Sequence, residues 1–214
     1  MRSIAINDTS LLIDPGSEVI LSFQSWSDYE QLLGLRDEGV LPKIYFNADS
    51  GKIRLMSPLP SHGNRVDTLK SLIKILLHHY NKDFQSFDPI TLTKISRAGV
   101  EPDGCFYVDN YSAILGKDKI DLTIDPPPDL ALEVDITSRT NPDDYSSIAV
   151  PELWIYRPPQ LLIYVLSGEQ YDEKERSTLF SEIDIKNILP TYIERAWLQG
   201  SSLALREFEL FLIP

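Results

Sequence analysis

Apolar residues recur in two rhythms along this chain, and the change from one to the other divides it into elements. After Pro60 the apolar positions are Val66, Leu69, Leu72, Ile73, Leu76, Leu77 and Tyr80. That three-and-four spacing predicts one face of a long amphipathic helix. Lys70, Lys74, His78 and Lys82 fall on its other side, which reads as a solvated face, with a groove-lining basic stripe as the alternative. From Phe84 onward the pattern shortens to runs at 84–87, 90–95, 104–108, 130–136, 153–156 and 161–166, separated by Pro, Gly and Asp. These runs predict strands. Upstream, Lys43-Ile44-Tyr45-Phe46 and Lys52-Ile53-Arg54-Leu55-Met56 flank a Gly-containing loop, the signature of an antiparallel hairpin. Ser27-Asp28-Tyr29-Glu30 reads as a capping box opening a short first helix that ends near Gly39. In the tail, Ile188, Tyr192, Ile193 and Trp197, then Leu203, Leu205, Phe208, Leu210 and Phe211, predict two short helices joined at Gly200.

Helix, hairpin, long helix, strand cluster and helices, in that order, predict an α+β (mixed α/β) fold with a mixed central sheet flanked by helices, not alternating βαβ units. Residues 1–214 are expected to form a single domain, with the helix and hairpin over about 20–58 and the helical tail over about 186–214. There is no internal repeat. No G-x-G-x-x-G follows a strand and no G-K-[ST] occurs, so nucleotide binding through those devices is not expected.

Composition narrows the classes. Hydrophobic residues at 43% and charged residues at 24% suit a globular chain with a sizeable core. No apolar run is long enough to span a bilayer and no secretory leader is apparent, so a cytoplasmic protein is expected, with no membrane partner. The only cysteine, Cys105, cannot form an internal disulfide and reads as a small core residue. A net charge of −12 has the wrong sign for loose attachment to phosphate backbones. A bound metal or a local basic strip can still reverse the field within one groove.

The acids that could carry chemistry lie at Glu101-Pro102-Asp103-Gly104 and within Pro128-Asp129-Leu130-Ala131-Leu132-Glu133-Val134-Asp135-Ile136. In the second segment, period-two alternation places Leu130, Leu132, Val134 and Ile136 on one face and Ala131, Glu133 and Asp135 on the other. A carboxylate projecting from the middle of an apolar strand costs free energy unless paired, hydrogen-bonded or bound to metal. If the Asp103 strand lies alongside, the carboxylates converge as hard oxygen ligands for Mg2+. The alternative left open by the residues alone is a wet sheet face at Glu133 and Asp135, with Asp103 and Asp129 as turn residues after proline.

At these residues the chain resembles the PD-(D/E)XK nuclease superfamily, most closely its Uma-type branch of bacterial restriction-endonuclease-like proteins. The resemblance runs from about Ile44 to Leu166. It is carried by Ser57-Pro58-Leu59-Pro60-Ser61-His62, Pro102-Asp103, Pro128 to Val134, Asp135-Ile136-Thr137-Ser138 and Val150-Pro151-Glu152-Leu153-Trp154. It implies a restriction-endonuclease-like core, Asp103 and Glu133 as metal-binding acids and DNA as substrate, with Asp135 as a further ligand and His62 beside the acids. The superfamily's lysine two positions after the glutamate is here Asp135, and the segment Ser138 to Ser147 contains no lysine. Lys94 and Arg139 are the candidates to replace it, although arginine is a poor base.

Three readings follow: an Mg2+- or Mn2+-dependent DNA endonuclease; a catalytically degenerate nuclease fold that binds nucleic acid or protein; and a structural homodimer joined through tail aromatics such as Trp197 or Phe211.

Overall fold

The two rhythms become two kinds of layer. The computed structural model describes residues 2–6, 9–35, 42–88 and 90–213. Its first part runs β1 (Arg2–Ile6), β2 (Thr9–Ile13), β3 (Glu18–Ser22), α1 (Trp26–Gly34), β4 (Lys43–Asn47), β5 (Lys52–Met56) and α2 (Pro60–His79). Next come β6 (Gln85–Phe87), β7 (Leu92–Lys94), β8 (Ala98–Val100), β9 (Gly104–Tyr107) and β10 (Leu130–Val134). A short 3-10 helix, Pro142–Tyr145, precedes β11 (Glu152–Arg157), β12 (Gln160–Ser167), β13 (Gln170–Lys174), α3 (Ile185–Gln199) and α4 (Ser201–Leu212).

The expected mixed sheet is present in the order β13-β12-β11-β10-β9-β6, with β10 and β11 parallel. The hairpin β4–β5 does not join it but belongs to a separate antiparallel sheet, β3-β5-β4-β8-β7, while β1 and β2 pair with each other. Strand β9 is interior to the mixed sheet, with β10 on one side and β6 on the other.

Strand β10 has two buried faces. Leu130, Leu132 and Val134 join Leu69, Leu72, Ile73, Leu76 and Leu77 of α2, Leu189 and Ile193 of α3, and Phe208 of α4 in one core. Ala131 packs on the opposite side with Tyr45, Val100, Tyr145, Leu153 and Ile155, in a second core between the two sheets. Glu133 therefore projects into a closed layer, and the wet-face alternative gives way to a buried carboxylate. Asp129 does serve as a local cap, accepting from the Val108 amide at 2.7 Å and from the Asn110 amide at 3.2 Å.

Several local expectations shift. The capping box belongs to Ser25 and Asp28, not to Ser27 and Glu30: Ser25 Oγ accepts from the Asp28 amide at 3.3 Å, and Asp28 accepts from the Ser25 amide at 2.7 Å. Starting two residues earlier brings Trp26 into the helix, where its ring lies 5.2 Å from Tyr29 and 5.8 Å from Phe46. The helix ends at Gly34, and Gly39 lies outside the described residues. On α2, His78 is exposed as expected, with His79 exposed beside it, but Lys70 is buried and pairs with Asp88. Gly200 separates the two tail helices at φ 104°, a conformation open to glycine. Strand β13 carries no clean alternation, since it is exposed or half-buried throughout. No described helix is long and apolar enough to cross a membrane.

Gly99 in β8 has a packing reason to lack a side chain. A Cβ there would collide with the hydroxyl and ring of Tyr29, which is fully buried. Gly99→Ala is expected to destabilise the fold by about 1–3 kcal/mol, a fall of several degrees in Tm that differential scanning calorimetry would resolve.

Candidate active site

Three elements converge on the acids. Asp103 sits just before β9 and its amide donates to the Leu132 carbonyl at 2.9 Å, which fixes it beside β10. Glu133 comes from β10 and points between the sheets. From the other sheet, β4 turns Lys43 and Tyr45 toward them, because alternation sends Ile44 and Phe46 the other way into a separate core.

The Lys43 ammonium is the meeting point. It pairs closely with Asp103 Oδ1 and lies 3.7 Å from Glu133 Oε2. Both carboxylates are almost completely buried, whereas the lysine side chain is 18% exposed. Asp103 Oδ2 accepts from the Val134 amide at 2.8 Å and stands 3.1 Å from His62 Nε2. A carboxylate acceptor there suits the His62 tautomer that carries its hydrogen on Nε2. Tyr145, from the 3-10 helix, donates to Glu133 Oε1 at 2.5 Å, and Tyr45 Oη lies 3.2 Å from the same oxygen. Glu101 braces the arrangement: its carboxylate accepts from the Ile44 amide at 3.0 Å and from Thr91 Oγ1 at 3.0 Å, and its carbonyl accepts from Tyr45 Oη at 2.9 Å.

The charges are arranged asymmetrically. Burial would raise the Asp103 carboxyl, but Lys43 and the His62 contact outweigh it and hold this acid well below the ordinary range. Glu133 goes the other way. Burial pushes it up to about 8, with the neighbouring Asp103 charge adding to the rise and Lys43 opposing it. Burial would lower the Lys43 ammonium, yet Asp103, Glu133 and Glu101 reverse this and raise it. Lys43 is thus a permanent positive charge at neutral pH, suited to stabilising an anion and not to accepting a proton.

The remaining sequence-nominated residues lie at different distances from this centre. Asp135 is on the same side of the sheet as Glu133 but is engaged elsewhere: it accepts from Arg157 Nε at 2.7 Å and from Thr140 Oγ1 at 2.7 Å. Lys94 is exposed on β7 and pairs with Ala98, which pairs with Asn47 at the far end of β4. Four residues of strand, roughly 13 Å, separate Asn47 from Lys43. Arg139 is exposed, and its carbonyl accepts from Arg54 at 2.7 Å. The structure therefore brings together Asp103, Glu133 and His62, and leaves Asp135, Lys94 and Arg139 outside their contacts. Lys43, Tyr45 and Tyr145 were not among the sequence candidates. The one local signal was the i, i+2 placement of Lys43 and Tyr45 on the same face of a strand.

The Asp103–Glu133 pair offers the hard oxygen ligands that a divalent cation takes, since both buried carboxylates converge on one positive charge. Among the described residues, no group of three or more His, Cys, Asp or Glu side chains is placed to hold a metal ion. A cation held by the Asp103–Glu133 pair would draw its other ligands from water and substrate.

Comparisons with known proteins agree with this architecture. The Uma2 family model, described as "Putative restriction endonuclease", matches residues 26–198. The crystal structure of "a putative nuclease belonging to DUF820 from Anabaena variabilis" is similar in fold, with a TM-score of 0.53 at 14% identity, covering 79% of this chain and 98% of that one. No curated protein matches the chain.

Proposed function

The chain belongs to the Uma2 family of restriction-endonuclease-like proteins, and from that premise we propose that it is a metal-dependent DNA endonuclease hydrolysing phosphodiester bonds. The observation that carries this reading is the meeting of Asp103 and Glu133, thirty positions apart, at the Lys43 ammonium. Asp103 and Glu133 are the residues that would hold Mg2+ or Mn2+. Such an ion, when bound, polarises the phosphate and favours the ionised form of a bound water.

In the reaction, the water oxygen bonds to phosphorus and one P–O ester bond breaks. The water proton passes to solvent or a nearby base, and the departing alkoxide takes up a proton, leaving a phosphate monoester and an alcohol. Lys43, fixed by both acids, supplies the positive charge for the negative charge that develops on phosphate, the part played by the lysine absent two positions after Glu133. His62 holds Asp103 in orientation, and Tyr45 and Tyr145 hold Glu133. Asp135 supports the strand end through Arg157 and Thr140 instead of adding a ligand.

Calorimetric titration of Mg2+ and Mn2+ should give a saturable heat with the wild type that Asp103→Ala lacks, alongside cleavage of DNA that EDTA stops. A wild type that binds neither ion would sink the metal-dependent reading. Metal binding without a cut in supercoiled, linear or single-stranded DNA would favour a catalytically degenerate protein that binds nucleic acid. The tail aromatics Trp197 and Phe211 are both exposed, so a homodimer joined through them is the remaining reading, and light scattering distinguishes monomer from dimer.

A further inference from the structure

A second feature adjoins the acids. Between the start of α2 and the end of α3 lies an open cleft of about 370 Å³, lined by Ser61, Arg65, Ile136, Arg139, Pro158 and Trp197, with Asp135 at its inner edge. Asp135 also borders the small space that reaches Glu133. The two spaces thus share Asp135 in their walls.

Its walls have a distinctive chemistry. Trp197 is 44% exposed, and the Arg65 guanidinium lies 4.8 Å from its ring centre, covering one face of the indole. Arg65 is itself fixed by Glu194 through bonds of 2.9 and 3.0 Å, and Glu194 also accepts from Tyr156 Oη at 2.8 Å. The indole is thus a braced platform with open area on its remaining surface. The charges of Arg65 and Asp135 are matched by Glu194 and Arg157. Arg139 differs: its backbone is pinned by Arg54, while its guanidinium forms no salt bridge among the described residues.

We propose that this cleft binds one unpaired nucleotide of the substrate, its base against Trp197 and an adjacent phosphate at Arg139. The inference rests on the nuclease reading for the identity of the substrate. A base inside a duplex has both faces covered by its neighbours, so only an unpaired base can use the indole as a stacking surface. The chain's net charge of −12 points the same way. A protein that cannot gather phosphates by bulk charge gains more from stacking and one cation than from many backbone contacts.

The test is fluorescence anisotropy in EDTA, with labelled single-stranded oligonucleotide, blunt duplex, and duplex bearing a single-stranded overhang. Wild type should bind the single strand and the overhang more tightly than the blunt duplex, with a shallow salt dependence. Trp197→Ala should weaken single-strand binding by about tenfold, given the usual worth of base stacking, while Trp197→Phe retains most of it. Arg139→Ala should flatten the salt dependence further. Neither Trp197→Ala nor Arg139→Ala should change the Mg2+ titration. Single-strand affinity unaltered in Trp197→Ala, equal losses for duplex and single strand, or no binding by the wild type would overturn the proposal. Because binding is read without metal, this outcome is separate from failure of the nuclease reading, which shows as absent metal heat or absent cleavage.

Discussion

Replacing Lys43 with methionine is expected to lower DNA cleavage by about a hundredfold or more, the usual consequence of removing a preorganised charge from a reacting phosphate. Methionine keeps much of the lysine stem, so the core between the sheets remains filled and the change is chiefly one of charge. It leaves Asp103 buried without its main cation, and removing one partner of a buried pair typically costs about 3–5 kcal/mol. Stability and activity are expected to respond differently to metal. Mg2+ should restore the variant's Tm more than it raises that of the wild type, because the ion neutralises the same acids. Cleavage should stay low, because the ion does not replace a charge placed for the transition state. Lys94→Ala is the contrasting variant: Lys94 projects from the opposite end of the hairpin strand's pairing and should leave the rate unchanged. Wild-type cleavage by Lys43→Met, or a large loss in Lys94→Ala, would remove Lys43 from this role.

Stability of the metal-free protein is expected to fall as pH rises from about 5 to 8. Glu133 gives up its proton near the ordinary value of 4.5 in the unfolded chain but holds it to about 8 in the fold. Between those values the unfolded state binds fewer protons than the folded state, so the folded state loses ground by a few kcal/mol in total across the interval. Asp103 has the opposite sign. Its carboxyl is depressed in the fold, so its contribution is present above its ordinary value of 3.8 and is lost as pH falls from there through the folded value. Maximum stability without metal should therefore lie at weakly acidic pH. Urea denaturation in EDTA at pH 5, 6.5 and 8 would measure the decline, and Glu133→Gln should remove most of it. Saturating Mg2+ should also reverse the decline at pH 8, since metal favours the ionised carboxylate. Parallel pH profiles for wild type and Glu133→Gln would show that this buried acid does not hold its proton.

Much of the architecture is local and could be read from the chain. The apolar spacing from Val66 to Tyr80 defines α2 because a helix face repeats every three or four residues whatever surrounds it. Alternation along Leu130 to Val134 separates the helix-facing residues from Ala131 and Glu133 because successive strand side chains point to opposite faces. The pause at Gly200 between two amphipathic runs marks the joint of the tail helices. These features also made Glu133 conspicuous, as an acid set within an apolar strand.

What those local patterns could not specify was the partner. Lys43 is sixty residues from Asp103 and ninety from Glu133, and they meet only because the hairpin joins a second sheet that packs on the face of the first. The local rules set which side of its own strand each residue occupies. Which strand faces which depends on how the two sheets pack, a contact summed over many residues that leaves no spacing in the chain. The side of its strand that Glu133 occupies was thus determined by sequence periodicity, whereas its meeting with Asp103, the ammonium between them, and the turning of Asp135 toward Arg157 and Thr140, were decided by tertiary packing.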